Sequence, residues 1–305
     1  LRRVSLYLQE LRSGFFTATI VPVALGSAIA WCRTGQFHWG LFFLTMAGGV
    51  LLHAGTNVAN DFFDSRSGTD AANVEYLRPF TGGSRMIQKG LLSPKEVLWE
   101  SMIAYAAALV VGAFLVVHRG YPILILGFIG LFSGYFYTGT PLVLAARGLG
   151  EAVIGLNFGV LMVLGSYYAQ TGRFSLEPVM ASIPVALLIM LVVFVNEFQD
   201  MRADEGARRR TWVVRLGRKR SSRVYLALVS AVYLSILVMI LLGVVTPFAL
   251  LTLFTVPLAA RTAAITLAMH DSPEGLAPAN AGTVVIHLSL GLLLSLGYCL
   301  ERLLS

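Results

Sequence analysis

Two stretches of this 305-residue chain gather carboxylates and side-chain amides in otherwise apolar surroundings. Asn60, Asp61 and Asp64 stand in NDFFDSRSGTD, and Asn196, Asp200 and Asp204 in NEFQDMRAD. Residues four apart share a helix face. Asn60 therefore points with Asp64, and Asn196 with Asp200; Asp204 follows with about 40° of drift. Carboxylate and amide oxygens without His or Cys suit a hard cation, and Mg²⁺ best, because it keeps waters and bridges a few carboxylates to phosphate oxygens. Arginines in the loops that follow each stretch suit a phosphate ester. Aspartates alone would repel a diphosphate, and arginines alone would not need the aspartates. Together they can stabilise a departing diphosphate while an allylic C–O bond ionises. The allylic cation then needs an electron-rich acceptor, shelter from water and aromatic faces. Tyr135, Phe136, Tyr137, Tyr167, Tyr168, Phe194 and Phe198 are available, beside the plainer reading of each as packing. The substrate this describes is a polyprenyl diphosphate, with its tail among helices and its head group at their mouth.

The elements that must position these groups are transmembrane. The chain is 56% hydrophobic and 13% charged, with a mean hydropathy of +0.75, where a soluble domain carries roughly a quarter charged residues. Nine apolar runs are long enough to span a bilayer: 14–34, 40–63, 96–118, 121–139, 150–170, 178–200, 222–244, 246–269 and 281–304. Their lengths exclude a barrel of short alternating strands, so the expected fold is an all-α polytopic bundle. Small residues at Ala28 and Ala30 imitate a signal-peptidase site, but the apolar run is long and eight more follow, which favours a retained helix.

Lysines and arginines set the orientation. With the N-terminus cytoplasmic, eighteen fall in inside segments and four outside, and Arg261 lies within a span. This places the N-terminus and both acidic stretches on the cytoplasmic side of a bacterial-type inner or plasma membrane. The net charge of +7 thereby faces anionic lipid or an anionic substrate. Nucleic acid is disfavoured, because the charge is split among membrane loops. Cys32 and Cys299 stand alone, without metal or redox spacing, and read as packed thiols. The segment at 1–14 is amphipathic and suits the inner membrane surface.

The two long polar loops, about 65–95 and 201–221, each follow a span ending in N-x-x-x-D, and those spans lie four helices apart. The chain thus reads as two related four-helix units, helices 1–4 and 5–8, plus a ninth. Such repeats commonly hold the site where they face one another. Neither half would enclose it alone, so one domain over 1–305 is expected.

The pair NDFFDSRSGTD and NEFQDMRADEGARRRTWVVRLG resembles the two aspartate-rich motifs of the UbiA superfamily of intramembrane aromatic prenyltransferases, over nearly the whole chain. Three stretches, LRSGFFTATIVPVALGSAIA, NDFFDSRSGTD and FTGGSRMIQKGLLSP, with YTGTP at 137–141, are similar to the branch acting on 1,4-dihydroxy-2-naphthoate in menaquinone biosynthesis. The 4-hydroxybenzoate branch places a lysine four residues after the tyrosine; here that position is Pro141. Another departure is Arg12-Ser13, where the family commonly has an arginine-proline pair.

The resemblance implies a ring-like bundle of nine helices. It also implies that Asn60, Asp61, Asp64, Asn196, Asp200 and Asp204 surround two Mg²⁺ ions, with Asp64 and Asp200 foremost in catalysis, supported by Asn60 and Asn196. Arg12, Arg78 and Arg85 would approach the diphosphate or the aromatic acceptor, with Tyr137 and Arg210 as further substrate-binding residues. Asp70 and Gly68 would organise the first loop.

Other residues carry two readings. The run Arg208–Arg210 suits diphosphate as well as it suits a positive-inside anchor, and Arg215 and the Arg218–Arg223 cluster read as lipid-facing anchors. His53 lies seven residues before Asn60 on nearly the same face, either towards a cavity or hydrogen-bonded within the bundle. Gly82-Gly83 would let backbone approach a phosphate, or simply form a turn. Other acceptors for the same chemistry are a benzoate, homogentisate, chlorophyllide, haem or a glycerol phosphate. A secondary transporter would carry its acids near the midplane on inverted repeats, whereas these sit at helix ends in a parallel repeat. The D-G-x-x-A-R core of a CDP-alcohol phosphotransferase is missing.

Overall fold

The computed structural model describes residues 2–305, and the described chain is helical throughout, with no strand. Among the described residues, nine helices are long and apolar enough to cross a membrane: Ser13–Thr34, Trp39–Ser67, Pro94–Arg119, Tyr121–Thr138, Gly150–Thr171, Leu176–Gly206, Arg218–Leu241, Pro247–Met269 and Ala277–Leu304. They are called the first to ninth spans below. In hydrocarbon every backbone group needs an internal partner, which helices supply from their own residues.

Local chemistry fixes most of the ends. Ser93 caps the third span in a capping box with Glu96, and Pro94 follows at its first turn. Gly35 closes the first span at φ 71°, a conformation open to glycine without steric cost. The second and sixth spans run several residues beyond the apolar stretches expected from sequence, to Ser67 and Gly206. The acidic motifs thus ride on continuous helix, and their i,i+4 spacing keeps a common face. The fifth span widens into a π turn over Gly155–Leu161.

The ninth span packs on the first and the eighth, closing the bundle. The first and sixth spans are the most enclosed; the second, third and fourth present most of their surface outward. The main core joins Val21, Leu25 and Ile29 of the first span to Leu188, Phe194 and Phe198 of the sixth and Leu290 of the ninth. Gly26 lets the first and fifth spans touch: a Cβ there would stand 2.2 Å from the Val163 carbonyl oxygen. Small residues at such crossings are what membrane helices use to approach closely. Beside it, Ser27 and Ser166 share a hydrogen bond of 2.8 Å.

At the end away from the acidic motifs, Arg33 binds Glu177 at 2.5 Å and Glu301 at 2.6 Å, fastening the first, sixth and ninth spans together. Cys32 and Cys299 are free thiols. The segment Arg2–Glu10 is helical, as its amphipathic pattern suggests, with Val4 and Leu8 exposed. Its Leu6 and Tyr7 pack against a small core of Val58, Phe62 and Met86, so it lies on the foot of the second span and the first loop.

Candidate functional site

The acidic ends of the second and sixth spans face one another across a cavity of about 210 Å³. Its wall includes Asn60 and Asp64 from one side and Asn196, Asp200 and Asp204 from the other. Arg12, Tyr137 and Arg209 are also in the polar lining, with Asp70, Asn73 and Glu197. The span-to-span convergence expected from the motif spacing is therefore present.

Each loop reaches over to the opposite motif. From the first loop, Asn73 donates to Asp200 Oδ1 at 2.6 Å, and the Phe80 carbonyl accepts from Asn196 at 3.3 Å. From the second loop, the Arg209 guanidinium lies 3.4 Å from Asp64 and 3.5 Å from Asp204. Those contacts are long for charge-assisted bonds. Burial works against the Arg209 charge, but the neighbouring Asp64 and Asp204 outweigh it and hold the guanidinium above its ordinary pKa. An anionic ligand can take over such a side chain without breaking a tight pair.

The residue after each motif asparagine does a different job. Asp61 is buried behind the cavity wall and accepts from the Ser84 backbone N–H at 2.8 Å, with Arg12 at 3.5 Å. Glu197 stands at the matching place in the sixth span and accepts from the Val213 N–H at 3.4 Å. Each carboxylate thus anchors the loop that follows its own span. Gly83 makes the first anchor possible: it adopts φ 67°, and a Cβ would come within 2.7 Å of Asp61 Oδ1. The TGGSR turn therefore packs against a carboxylate.

The remaining sequence candidates divide. Arg12 lines the cavity from the turn before the first span, at φ 55°, its guanidinium also lying 5.0 Å from the Phe15 ring centroid. With serine rather than proline after it, the span opens in a 3₁₀ turn over Ser13–Phe16. Tyr137 lines the wall near Gly150. Three arginines do not line it. Arg78 is exposed. Arg85 donates to the carbonyls of Asp70 and Asn73, and its guanidinium lies 4.0 Å from the Tyr76 ring centroid, which braces the first loop. Arg210 is exposed, and its backbone N–H donates to the Ala146 carbonyl. Asp70 is buried beneath the same loop and accepts from Gln88 at 2.9 Å. Burial, with the Asp64 and Asp61 charges beside it, pushes its carboxyl up to about 8.

Sequence reasoning did not separate Arg209 from its neighbours in RRR. The sixth span ends at Gly206 and Arg208 takes φ 57°, a left-handed turn that brings the Arg209 N–H back to the Asp204 carbonyl at 2.8 Å. Asn73 and Asn280 were also missed; Asn280 donates to Asn196 Oδ1 at 2.7 Å and orients that amide. An asparagine in a ninth apolar span was the available signal, since a buried amide there needs partners. The second loop is further held by Glu151, which accepts from the Trp212 N–H at 2.8 Å, and by Arg215 on the Arg147 carbonyl at 2.6 Å. Arg218 binds Glu75 at 3.2 Å. These two arginines brace loops, where a lipid-facing anchor was one reading.

The cavity lining fits a hard divalent ion by donor chemistry: five carboxylates and four side-chain amides line it, and all offer oxygen. Among the described residues no three His, Cys, Asp or Glu side chains stand close enough to enclose an ion unaided. Any ion held here takes the rest of its shell from substrate or water. Behind the polar cavity lies an apolar one of about 630 Å³, walled by the second to fifth spans with residues such as Leu52, Leu109, Phe128, Leu131 and Leu161. Five residues line both: His53, Thr56, Tyr137, Ile154 and Phe158. The arrangement is a charged mouth beside a greasy chamber, and these five residues form the neck where the two adjoin.

Comparisons with known proteins agree with this anatomy. The UbiA prenyltransferase family matches residues 19–290. A 2-carboxy-1,4-naphthoquinone phytyltransferase of Synechocystis is 27% identical, over 96% of this chain and 92% of that protein. A 1,4-dihydroxy-2-naphthoate octaprenyltransferase of Bacillus subtilis is 25% identical, over 95% and 90%. Among solved structures, a UbiA homologue from Aeropyrum pernix superposes with a TM-score of 0.65 at 16% identity, covering 93% of this chain and 97% of that one. One from Archaeoglobus fulgidus, bound to DMAPP and Mg²⁺, gives 0.61 at 16% identity, covering 94% and 98%. With nine spans, paired acidic motifs and a family match over most of its length, the chain is an integral membrane prenyltransferase and belongs to the UbiA prenyltransferase family.

Proposed function

We propose that the protein transfers a polyprenyl group from polyprenyl diphosphate to 1,4-dihydroxy-2-naphthoate, with Mg²⁺, in menaquinone biosynthesis. The observation that carries this reading is the cavity shared by the two acidic motifs and joined to an apolar chamber. Naphthoate enzymes among the relatives, and Pro141 where a benzoate enzyme has lysine, support the acceptor.

In this reading Asp64, Asp200 and Asp204, with Asn60 and Asn196, hold the ions, and Asp61 serves from behind by fixing the loop. Mg²⁺ supplies Lewis-acid neutralisation of the diphosphate. Arg209 and Arg12 add positive charge at the same mouth and stabilise the charge that grows on the leaving group. The apolar chamber takes the tail and keeps water from the allylic carbon. Tyr137 borders the neck with its phenol and ring. Arg78, Arg85 and Arg210 act through the loops. The site takes groups from both halves, so residues 1–305 work as one domain. The lysine and arginine distribution orients the loops and the N-terminus to the cytoplasm of a bacterial-type membrane.

The test supplies the purified protein with farnesyl diphosphate, Mg²⁺ and a panel of hydroxynaphthoate, hydroxybenzoate and homogentisate acceptors, with products identified by mass. A decarboxylated prenyl naphthalenediol as the main product is expected. Preference for another acceptor would refute the naphthoate assignment, and no product with any acceptor would refute the whole reading.

A further inference from the structure

His53 is 6% exposed, sits in the second span and lines both cavities, so it stands at the neck between charged mouth and apolar chamber. Its Nδ1 lies 2.9 Å from the Thr19 hydroxyl. Its ring is packed against Phe158, at 4.5 Å between centroids, and edge-on to Phe16 at 5.4 Å. Three contacts from two spans, the first and the fifth, hold one imidazole. Among the described residues its Nε2 makes no hydrogen bond, and the atom is not sealed off but opens onto the cavity space. The tautomer is set by the bond the other nitrogen makes. With Nδ1–H donating to Thr19, Nε2 presents a lone pair to the neck.

The position matches the chemistry. His53 precedes Asn60 by seven residues, two helical turns or about 10 Å, on nearly the same face. A diphosphate at the mouth with its tail in the apolar chamber would run its allylic end past this neck, where an acceptor ring would meet it. Of the other shared neck residues, Ile154 and Phe158 are apolar. Thr56 donates to the Leu52 carbonyl and accepts from Tyr105. Tyr137 contributes a phenol, a poor proton acceptor at neutral pH.

We propose that His53 is a catalytic residue that binds the acceptor's ring hydroxyl through Nε2 and takes its proton as the carbon–carbon bond forms. This rests on the prenyl-transfer reading above and adds the proton's destination. The allylic C–O bond breaks with its electron pair leaving on the diphosphate. A ring carbon supplies the pair for the new C–C bond, the C–OH becomes C=O, and its proton passes to Nε2. The carboxylate on that carbon then leaves as CO₂, its electron pair restores the aromatic ring, and the imidazolium returns the proton to the ring oxygen. The hydroxyl becomes strongly acidic only once the ring is alkylated, so the base needs placement more than strength. Arg12 lines the mouth, where its charge favours the acceptor's anionic form.

The experiment uses full-length protein in detergent with farnesyl diphosphate, Mg²⁺ and 1,4-dihydroxy-2-naphthoate. It compares wild type, His53→Ala and His53→Gln for prenyl transfer, farnesol release and farnesyl diphosphate binding. Both variants should lose at least about a hundredfold in kcat for transfer, the usual scale for a lost general base. Diphosphate binding should stay within about twofold, and the ionised prenyl group should be diverted to farnesol. Added imidazole should partly restore transfer to His53→Ala, but not to His53→Gln, whose side chain still fills the neck. Transfer within threefold of wild type in either variant would overturn the assignment. So would loss of diphosphate binding in both, which marks a packing role. A wild type that transfers to no acceptor overturns the parent reading instead, and the control arm shows which has failed.

Discussion

The feet of the second and sixth spans carry the same N-x-x-x-D signature, yet they are built differently. On the sixth, Asp200 and Asp204 both line the cavity, and the following loop is short and pinned to the fourth-to-fifth connection through Glu151, Arg210 and Arg215. On the second, Asp64 and Asp70 reach the wall while Asp61 is buried behind it, under a long loop that Arg85 and Ser84 tie down. One side is a rigid platform of helix, the other a helix with a folded cover. Each cover is sewn to the opposite side: Asn73 to Asp200, and Arg209 to Asp64. The exchange of loop contacts makes the two feet one site.

Removing the central carboxylates breaks both sides at once. Asp64→Ala and Asp200→Ala should each lower kcat by roughly a thousandfold or more, the upper range for losing a preorganised electrostatic group, with the protein still recovered from membranes. Full transfer by either variant would detach these residues from the chemistry. Chelating divalent ions with EDTA should silence wild type similarly, and Mg²⁺ should restore it.

The next effect separates neighbours in one loop. Arg209→Ala should cost about a hundredfold in kcat/KM for the prenyl diphosphate, because it removes the only arginine of the RRR run that lines the cavity. Arg210→Ala, whose side chain is exposed and whose backbone makes the loop contact, should stay within about threefold. The reverse ranking in a steady-state assay would refute the placement of this loop.

Smaller still is the seam. Asn73→Ala removes a bond from the first loop to Asp200. It should cost roughly tenfold in kcat/KM, in line with about 1.5–3 kcal/mol for a hydrogen bond to a charged group when part is recovered by water. Hydrogen exchange should rise in residues 68–92 and stay flat in 207–217. Equal loosening of both loops would mean that the covers do not fold independently.

The smallest effect concerns stability. Asp70 has its folded carboxyl raised to about 8, by burial and then by Asp64 and Asp61. A carboxyl so raised binds more protons folded than unfolded between its ordinary range near pH 4 and pH 8. Its contribution is therefore greatest in acid and is lost as pH rises through 8. Asp70→Asn, assayed without ligand or metal, should raise the melting temperature by a few degrees at pH 8 and leave it nearly unchanged at pH 5. An equal shift at both values would show that the charge is not what matters there.

Much of this was readable in advance for physical reasons. Nine apolar runs can only be helices in a bilayer, and i,i+4 spacing puts Asn60 with Asp64 whatever the tertiary packing. Which loop arginine enters the site was not readable. Arg85, Arg209 and Arg210 have identical side chains, and their fates follow from backbone turns at Arg85, with φ 64°, and Arg208, with φ 57°. Residue type does not announce a left-handed turn when no glycine is present. The family resemblance implied that Asp61 stands beside the ions. Successive residues on a helix point about 100° apart, and that rotation takes its carboxylate behind the wall.

The clasp of Arg33 with Glu177 and Glu301 has a mechanical meaning. It rivets the first, sixth and ninth spans at the end remote from the chemistry, while the second to fourth, which flank the greasy chamber, meet mostly the surrounding lipid. Any breathing of the bundle must then pivot about that rivet and swing the lightly packed side. A hydrocarbon chain lengthening by one unit would press on acyl chains rather than on the core, so tolerance to tail length is a property of one flank alone.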